Sequence, residues 1–189
     1  MDAFAHCLEA YLSPVFHPMS QGIALEGMRI IKENLFEAFK DGKNIYARAK
    51  MLSASSMGSI AFQKGLGAIH SLSHPVGAIY NTHHGLTNAI ILPAVLRYNL
   101  PSIEEKVIRM AQAMQYEDHS VNNFIENMEK LLDRIKIPKG LNEIGVPEDC
   151  IERISKKAMI DTAFGTNPIP AELDDVRELV KISIIGARK

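Results

Sequence analysis

Four of the seven histidines of this 189-residue chain fall in one short run, His70-Ser-Leu-Ser-His74-Pro-Val-Gly-Ala-Ile-Tyr80-Asn-Thr-His83-His84. A fifth, His6, follows Asp2 at the other end of the sequence. Imidazole nitrogens and carboxylate oxygens are the ligands that first-row divalent ions such as iron and zinc accept, so metal chemistry is the first expectation. Asp2 and His6 are four residues apart, which puts both on one helix face and lets them grip a single ion. His70 and His74 repeat that spacing. Acid–histidine pairs at this interval also arise by chance, and a lone buried histidine is more often a satisfied core residue than a ligand. Spacing therefore nominates these residues without choosing among them. His83 and His84 are adjacent and cannot both face one ion easily. His17 and His119 sit among loop-like polar residues and are expected to be solvated.

Other chemistries find less support. There is no Gly-x-Ser-x-Gly elbow, and neither cysteine has a histidine placed in a recognisable pattern. Gly65-Leu66-Gly67 lacks the third glycine and the preceding strand of a dinucleotide fingerprint, and no phosphate-binding lysine follows a glycine-rich loop. Asp118-His119 reverses the His-Asp order of helical metal-dependent phosphohydrolases and has no supporting ligands.

The elements that must position these residues read as helices throughout. Alternating strand patterns are absent, while apolar stripes of helical period recur. The pattern predicts helices over 2–12, 19–39, 45–62, 70–80, 86–98, 103–114, 120–135, 147–163 and 173–185, a bundle of roughly eight or nine. Breaks are expected at Ser13-Pro14, His17-Pro18, Asp41-Gly42 and Asn99–Pro101. Pro75 should perturb its helix locally. The third helix is rich in Ala, Ser and Gly from Ala47 to Ala61, which predicts close backbone approach and a central, buried position. Residues 161–170 read as a loop. The expected fold is all-α, with residues 1–189 as a single helical domain.

Composition agrees with a globular protein: 47% hydrophobic and 23% charged residues, the balance of an ordinary folded chain. Lys+Arg of 21 against Asp+Glu of 22 leaves a net charge of -1, which gives no electrostatic case for nucleic acid or an anionic membrane. The apolar run near Ala89–Leu96 is too short to span a bilayer and contains Pro93. Cys7 and Cys150 have no CxxC context and are expected as free thiols in a reducing cytoplasm. The chain opens directly on what looks like the middle of a buried helix, with no cap before Asp2, so a piece of a longer polypeptide is expected.

The segment Met1-Asp2-Ala-Phe-Ala-His6-Cys-Leu-Glu9-Ala-Tyr11 closely resembles the first metal-ligand segment of the iron-containing (group III) alcohol dehydrogenases. Gly65-Leu-Gly67-Ala-Ile-His70-Ser-Leu-Ser-His74-Pro75-Val-Gly77-Ala-Ile-Tyr80-Asn81-Thr82-His83-His84-Gly85 looks like their second signature. Asn88 to Asn99 and Thr166-Asn167-Pro168 match as well. The resemblance implies a dehydroquinate synthase-like C-terminal helical domain. It also implies that Asp2, His6, His70 and His84 are the protein ligands of Fe²⁺ or Zn²⁺. His74 is similar to the family histidine that lies near the nicotinamide and substrate without binding metal, and would serve as a proton relay. His83 is left as a bystander. Phe62 is similar to a cleft-facing family position, with a core role as the alternative. Asn167 is near the cleft or simply a turn residue before Pro168.

The activity so implied is interconversion of a small alcohol and its aldehyde or ketone with NAD(P). Family members carry a nucleotide-binding α/β domain ahead of this region, and none of it is in this sequence, so the isolated chain is expected to bind metal and to lack turnover. A non-catalytic truncated helical module, or a zinc enzyme of the glycerol dehydrogenase or dehydroquinate synthase type, are the alternatives. The resemblance further implies a homo-oligomer.

Overall fold

The structure, a computed structural model, describes residues 1–188 and is helical among them. Eight α-helices follow in order: α1 (Asp2–Leu12), α2 (Pro18–Lys40), α3 (Ile45–Ala61), α4 (Ala68–Tyr80), α5 (His84–Ala113), α6 (Val121–Arg134), α7 (Ile151–Met159) and α8 (Leu173–Ile185). Short 3₁₀ turns lie between several of them, including Phe62–Lys64 and Thr162–Thr166.

The centre of the bundle is α1. All but its first and fifth residues are buried, including Phe4, Leu8 and Glu9, and it packs against α2, α3 and α5. Glycines on the neighbours make this approach close. A methyl at Gly58 of α3 would lie 3.1 Å from the Ala3 carbonyl and 3.2 Å from His6 Cβ, and one at Gly27 of α2 would lie 2.7 Å from Cys7 Sγ. The carboxyl end of α1 presents carbonyls that no helical amide can reach. Two lysines fill that role: Lys64 Nζ donates to the carbonyls of Ala10, Tyr11 and Ser13 at 2.8, 3.2 and 2.6 Å, and Lys106 Nζ to those of Leu12 and Ser13 at 2.8 and 3.1 Å. Both cations sit at the negative end of the helix dipole. Burial, with Lys106 beside it, pushes the Lys64 pKa down to about 8.

Four expectations need correction. The small-residue helix α3 approaches α1 closely, but it is peripheral: only Ala47, Ala54, Gly58 and Ala61 are buried. Its serines face water, and Ser56 and Ser59 donate back to the carbonyls of Leu52 and Ser55. Small size permits close packing, but a hydroxyl gains nothing from burial unless it is paired.

The break expected at Asn99–Pro101 does not occur. A single helix of 30 residues, α5, runs through both Pro93 and Pro101. An interior proline costs about 3 kcal/mol. Here that is offset by a continuous buried face, from Ile90–Leu96 on one side to Ile103, Val107 and Met110 on the other.

The helix expected over 147–163 is shorter. A 3₁₀ turn at Glu148–Cys150 precedes α7, which stops at Met159. His17 is not merely solvated either: it is the N-cap of α2, its Nδ1 accepting from the Ser20 amide at 3.2 Å. His119 is exposed as expected. Among the described residues no helix is long and apolar enough to cross a membrane.

Candidate metal centre

Three helix starts converge on a single point. Asp2 opens α1, His84 opens α5, and His70 lies on the third residue of α4. Ligand atoms of Asp2, His70 and His84 all fall within 4.8 Å of one another. Asp2 Oδ1 lies 3.4 Å from His84 Nε2 and 3.7 Å from His70 Nε2. Donor atoms bound to one ion at about 2.0–2.2 Å each can be no more than about 4.4 Å apart, and both Asp2–histidine separations fit that limit. His6 stands beside the group: its ring stacks on His70 with centroids 4.6 Å apart, and its Nδ1 is 3.7 Å from Asp2 Oδ2. Phe62, 40% exposed, also packs its ring against His6, with centroids 5.4 Å apart.

The start of α4 is fixed by side chains from far away in sequence. Asn167 Oδ1 accepts from the Ala68 amide at 3.1 Å, and Glu9 Oε1 from the Ile69 amide at 2.7 Å. Glu9 Oε2 then meets His70 Nδ1 at 2.5 Å. Glu9 and His70 are 5% and 1% exposed. A carboxylate only accepts, so the proton of neutral His70 sits on Nδ1 and the Nε2 lone pair faces Asp2 and His84. That is the carboxylate–histidine–metal arrangement that sets ligand tautomer and ring orientation. Gly67 is needed here because a Cβ would come within 3.0 Å of both Glu9 Oε1 and Asn167 Oδ1.

Asn88, one turn after His84, aims its amide nitrogen into the point of convergence. Nδ2 lies 2.8 Å from Asp2 Oδ1, 3.3 Å from His70 Nε2 and 3.1 Å from His84 Nε2. Its Oδ1 is buried with no hydrogen-bond partner. Three electron-pair donors thus surround one weakly positive N–H group, a donor set that suits a cation.

The electrostatics point the same way. The His70 imidazole beside Asp2, against the opposing effect of burial and with help from His6, His84 and Asn88, holds the Asp2 carboxyl well below the usual carboxylate range. Burial lowers the pKa of both His6 and His84, more than Asp2 raises it, so both keep free lone pairs at neutral pH. His70 is the exception. Burial alone would lower it, but the flanking carboxylates of Asp2 and Glu9 push it up to about 9, so a cation must displace a proton there.

His74, one turn beyond His70, is 44% exposed. Its ring lies nearly parallel to that of His84, 13° apart with centroids 5.7 Å apart, and its Nδ1 is 2.8 Å from Asp161 Oδ2. His83 caps α5, its Nδ1 accepting from the Leu86 amide at 3.4 Å. Asn167 is buried, pairing through both amide atoms with Asn99 as well as capping α4, so it is a structural tie rather than a cleft residue. The supporting roles of Glu9, Asn88 and Asp161 were not assigned from the sequence. An acid inside the apolar run of α1 was a signal for the first, and the His84–Asn88 spacing of four for the second. Nothing local marks Asp161.

A sequence profile of the Fe-containing alcohol dehydrogenase family, C-terminal region, matches residues 1–184. The chain is 38% identical to a 4-hydroxybutyrate dehydrogenase of Cupriavidus necator, over 97% of this chain and 50% of that protein. It is 32% identical to an NAD-dependent methanol dehydrogenase of Bacillus methanolicus, over 96% and 49%. A crystal structure of a 1,3-propanediol oxidoreductase superposes with a TM-score of 0.93 at 30% identity, covering 97% of this chain and 50% of that one. The chain spans about half the length of these relatives. With a family profile that spans 184 of its residues and the fold it shares with the 1,3-propanediol oxidoreductase, the chain belongs to the iron-containing alcohol dehydrogenase family and corresponds to the family's C-terminal region.

Proposed function

We propose that the chain is the metal-holding half of an NAD(P)-dependent alcohol dehydrogenase acting on a small alcohol or aldehyde. The observation that carries this is the convergence of Asp2, His70 and His84, with Glu9 turning the His70 lone pair inward. Asp2, His6, His70 and His84 are the residues that would hold Fe²⁺ or Zn²⁺, one carboxylate and three imidazoles being acceptable to either ion. When bound, the metal supplies Lewis acidity toward the substrate oxygen.

The chain's own contribution is positional. Three helices held by a common core fix the ligand side chains before any ligand arrives. Half-exposed His74 stands next to His84, where it can pass the alcohol proton on to solvent. Hydride transfer belongs to the nicotinamide, which needs a nucleotide-binding region of the kind that the relatives' additional length can supply. The names of the relatives support short-chain alcohols, 4-hydroxybutyrate and methanol among them, as the substrate class. Two buried free cysteines support a reducing, cytoplasmic setting, and the exposed Ile45, Tyr46 and Leu52 on α3 support self-association.

Metal analysis tests the reading. The purified chain, loaded with Fe²⁺ or Zn²⁺ and desalted, should retain one equivalent, and His84→Ala or His70→Ala should lose it. Retention of metal by both variants, or none by the parent chain, would refute it. The isolated chain should show no NAD-dependent alcohol oxidation.

A further inference from the structure

The geometry points to Asp161 as a positioning residue for His74: its carboxylate fixes the imidazole in the Nδ1–H tautomer and leaves Nε2 as the ring's only proton acceptor. This rests on the reading of His74 as the proton-handling residue beside the metal centre.

The Asp161 carboxylate uses its two oxygens separately. Oδ1 accepts from the Ala163 amide at 2.9 Å, and Oδ2 meets His74 Nδ1 at 2.8 Å. The acid is 19% exposed against 44% for the histidine, so it is the better anchored of the two. The segment that carries it is tied to the helix that carries His74. Thr166 Oγ1 donates to the Leu66 carbonyl at 2.7 Å, and Asn167 Oδ1 accepts from the Ala68 amide at 3.1 Å. Asp161 and His74 therefore keep their separation as parts of one braced unit, although 87 residues lie between them in sequence.

An exposed ion pair would contribute little to stability. Its value here lies elsewhere. An unpartnered neutral imidazole exchanges between tautomers, with the Nε2–H form favoured, and in that form Nε2 cannot take a proton. A carboxylate accepts only, so the bond to Asp161 requires N–H at Nδ1. The ring that results stands 5.7 Å from His84 and 5.8 Å from His70, centroid to centroid, with an acceptor nitrogen available. The pair at His70 has the same logic, with Glu9 at Nδ1 and the lone pair at Nε2. Two neighbouring imidazoles on one helix are thus both oriented by carboxylates from elsewhere in the fold.

Long-range ¹⁵N–¹H correlation spectra of the histidine-labelled chain read the tautomer directly, with and without Zn²⁺, at a pH where the His74 ring is neutral. The expected result is a pyrrole-type Nδ1 and a pyridine-type Nε2 in the parent chain. Asp161→Asn is nearly isosteric, and the Ala163 amide holds its oxygen on one side. The amide nitrogen then faces His74, and the spectrum should invert to the Nε2–H form. Asp161→Glu should restore the Nδ1–H form at least in part, while zinc stoichiometry and helical circular dichroism stay unchanged in both variants. A parent chain already in the Nε2–H form, or Asp161→Asn without a tautomer change, would overturn the proposal. If zinc fails to bind while the Nδ1–H form is seen, the pairing stands and the metal reading falls instead.

Discussion

Replacing Glu9 by Gln should weaken metal binding through a forced choice of tautomer. In the parent chain Oε1 accepts from the Ile69 amide and Oε2 meets His70 Nδ1. Glutamine has one acceptor where glutamate has two. If its oxygen stays with the Ile69 amide, its NH₂ group faces His70 Nδ1 and the imidazole proton moves to Nε2, where it blocks the metal position. If the oxygen turns to His70, two donors oppose each other at Ile69 in a site only 5% exposed. Loss of such a supporting carboxylate typically costs about 10–100-fold in metal affinity, or roughly 1.4–2.7 kcal/mol.

A second effect runs the other way. Glu9 and Asp2 together raise the His70 pKa to about 9, so at pH 7 the metal competes with a proton at a cost of about 100-fold in apparent affinity. Removing the Glu9 charge relieves part of that competition. The assay is therefore chelator competition with Zn²⁺ at several pH values. The parent chain should gain about tenfold in affinity per pH unit from 7 upward and level off near 9. Glu9→Gln should show a flatter profile and its full deficit at pH 9. Equal affinities at pH 9, or equal pH slopes, would refute the argument that Glu9 sets the His70 tautomer.

Without metal, His70 contributes to stability by having a folded pKa above the unfolded value of 6.5. That contribution, on the order of 3 kcal/mol, is fully present below about pH 6.5 and is lost as pH rises to about 9, so urea midpoints of the metal-free chain should fall over that interval and those of His70→Ala should not. Phe4→Ala removes a ring that is 1% exposed at the centre of the bundle and should cost about 3–5 kcal/mol by urea unfolding. Asn167→Ala removes the Ala68 cap and strands the buried Asn99 amide, which should cost about 2–4 kcal/mol and broaden the amide signals of the α4 first turn. Gly65 has φ +120°, and a Cβ there would overlap the Thr166 side chain, so Gly65→Ala should lower the melting midpoint through the turn that carries Asp161.

The sequence by itself determined the class of the fold and the pool of candidate metal donors. Helical stripes are a local property, and the ends of α2, α6 and α8 lie within a residue of where their stripes and caps placed them. Residue type and spacing nominated Asp2 and the histidines without choosing among them, and only the resemblance to the iron-containing alcohol dehydrogenases implied the set Asp2, His6, His70 and His84. What local pattern could not decide is where competing preferences are settled by burial. Pro101 signals a break, yet the apolar face of α5 carries the helix through it. The serines of α3 suggest a centre but lie at the rim, because the core is built on α1, which buries nine of its 11 residues against four of 17 in α3. The same limit holds at the site. Which nitrogen of His70 or His74 carries the proton depends on Glu9 and Asp161, which are 61 and 87 residues away in sequence, and only packing brings those carboxylates to the rings.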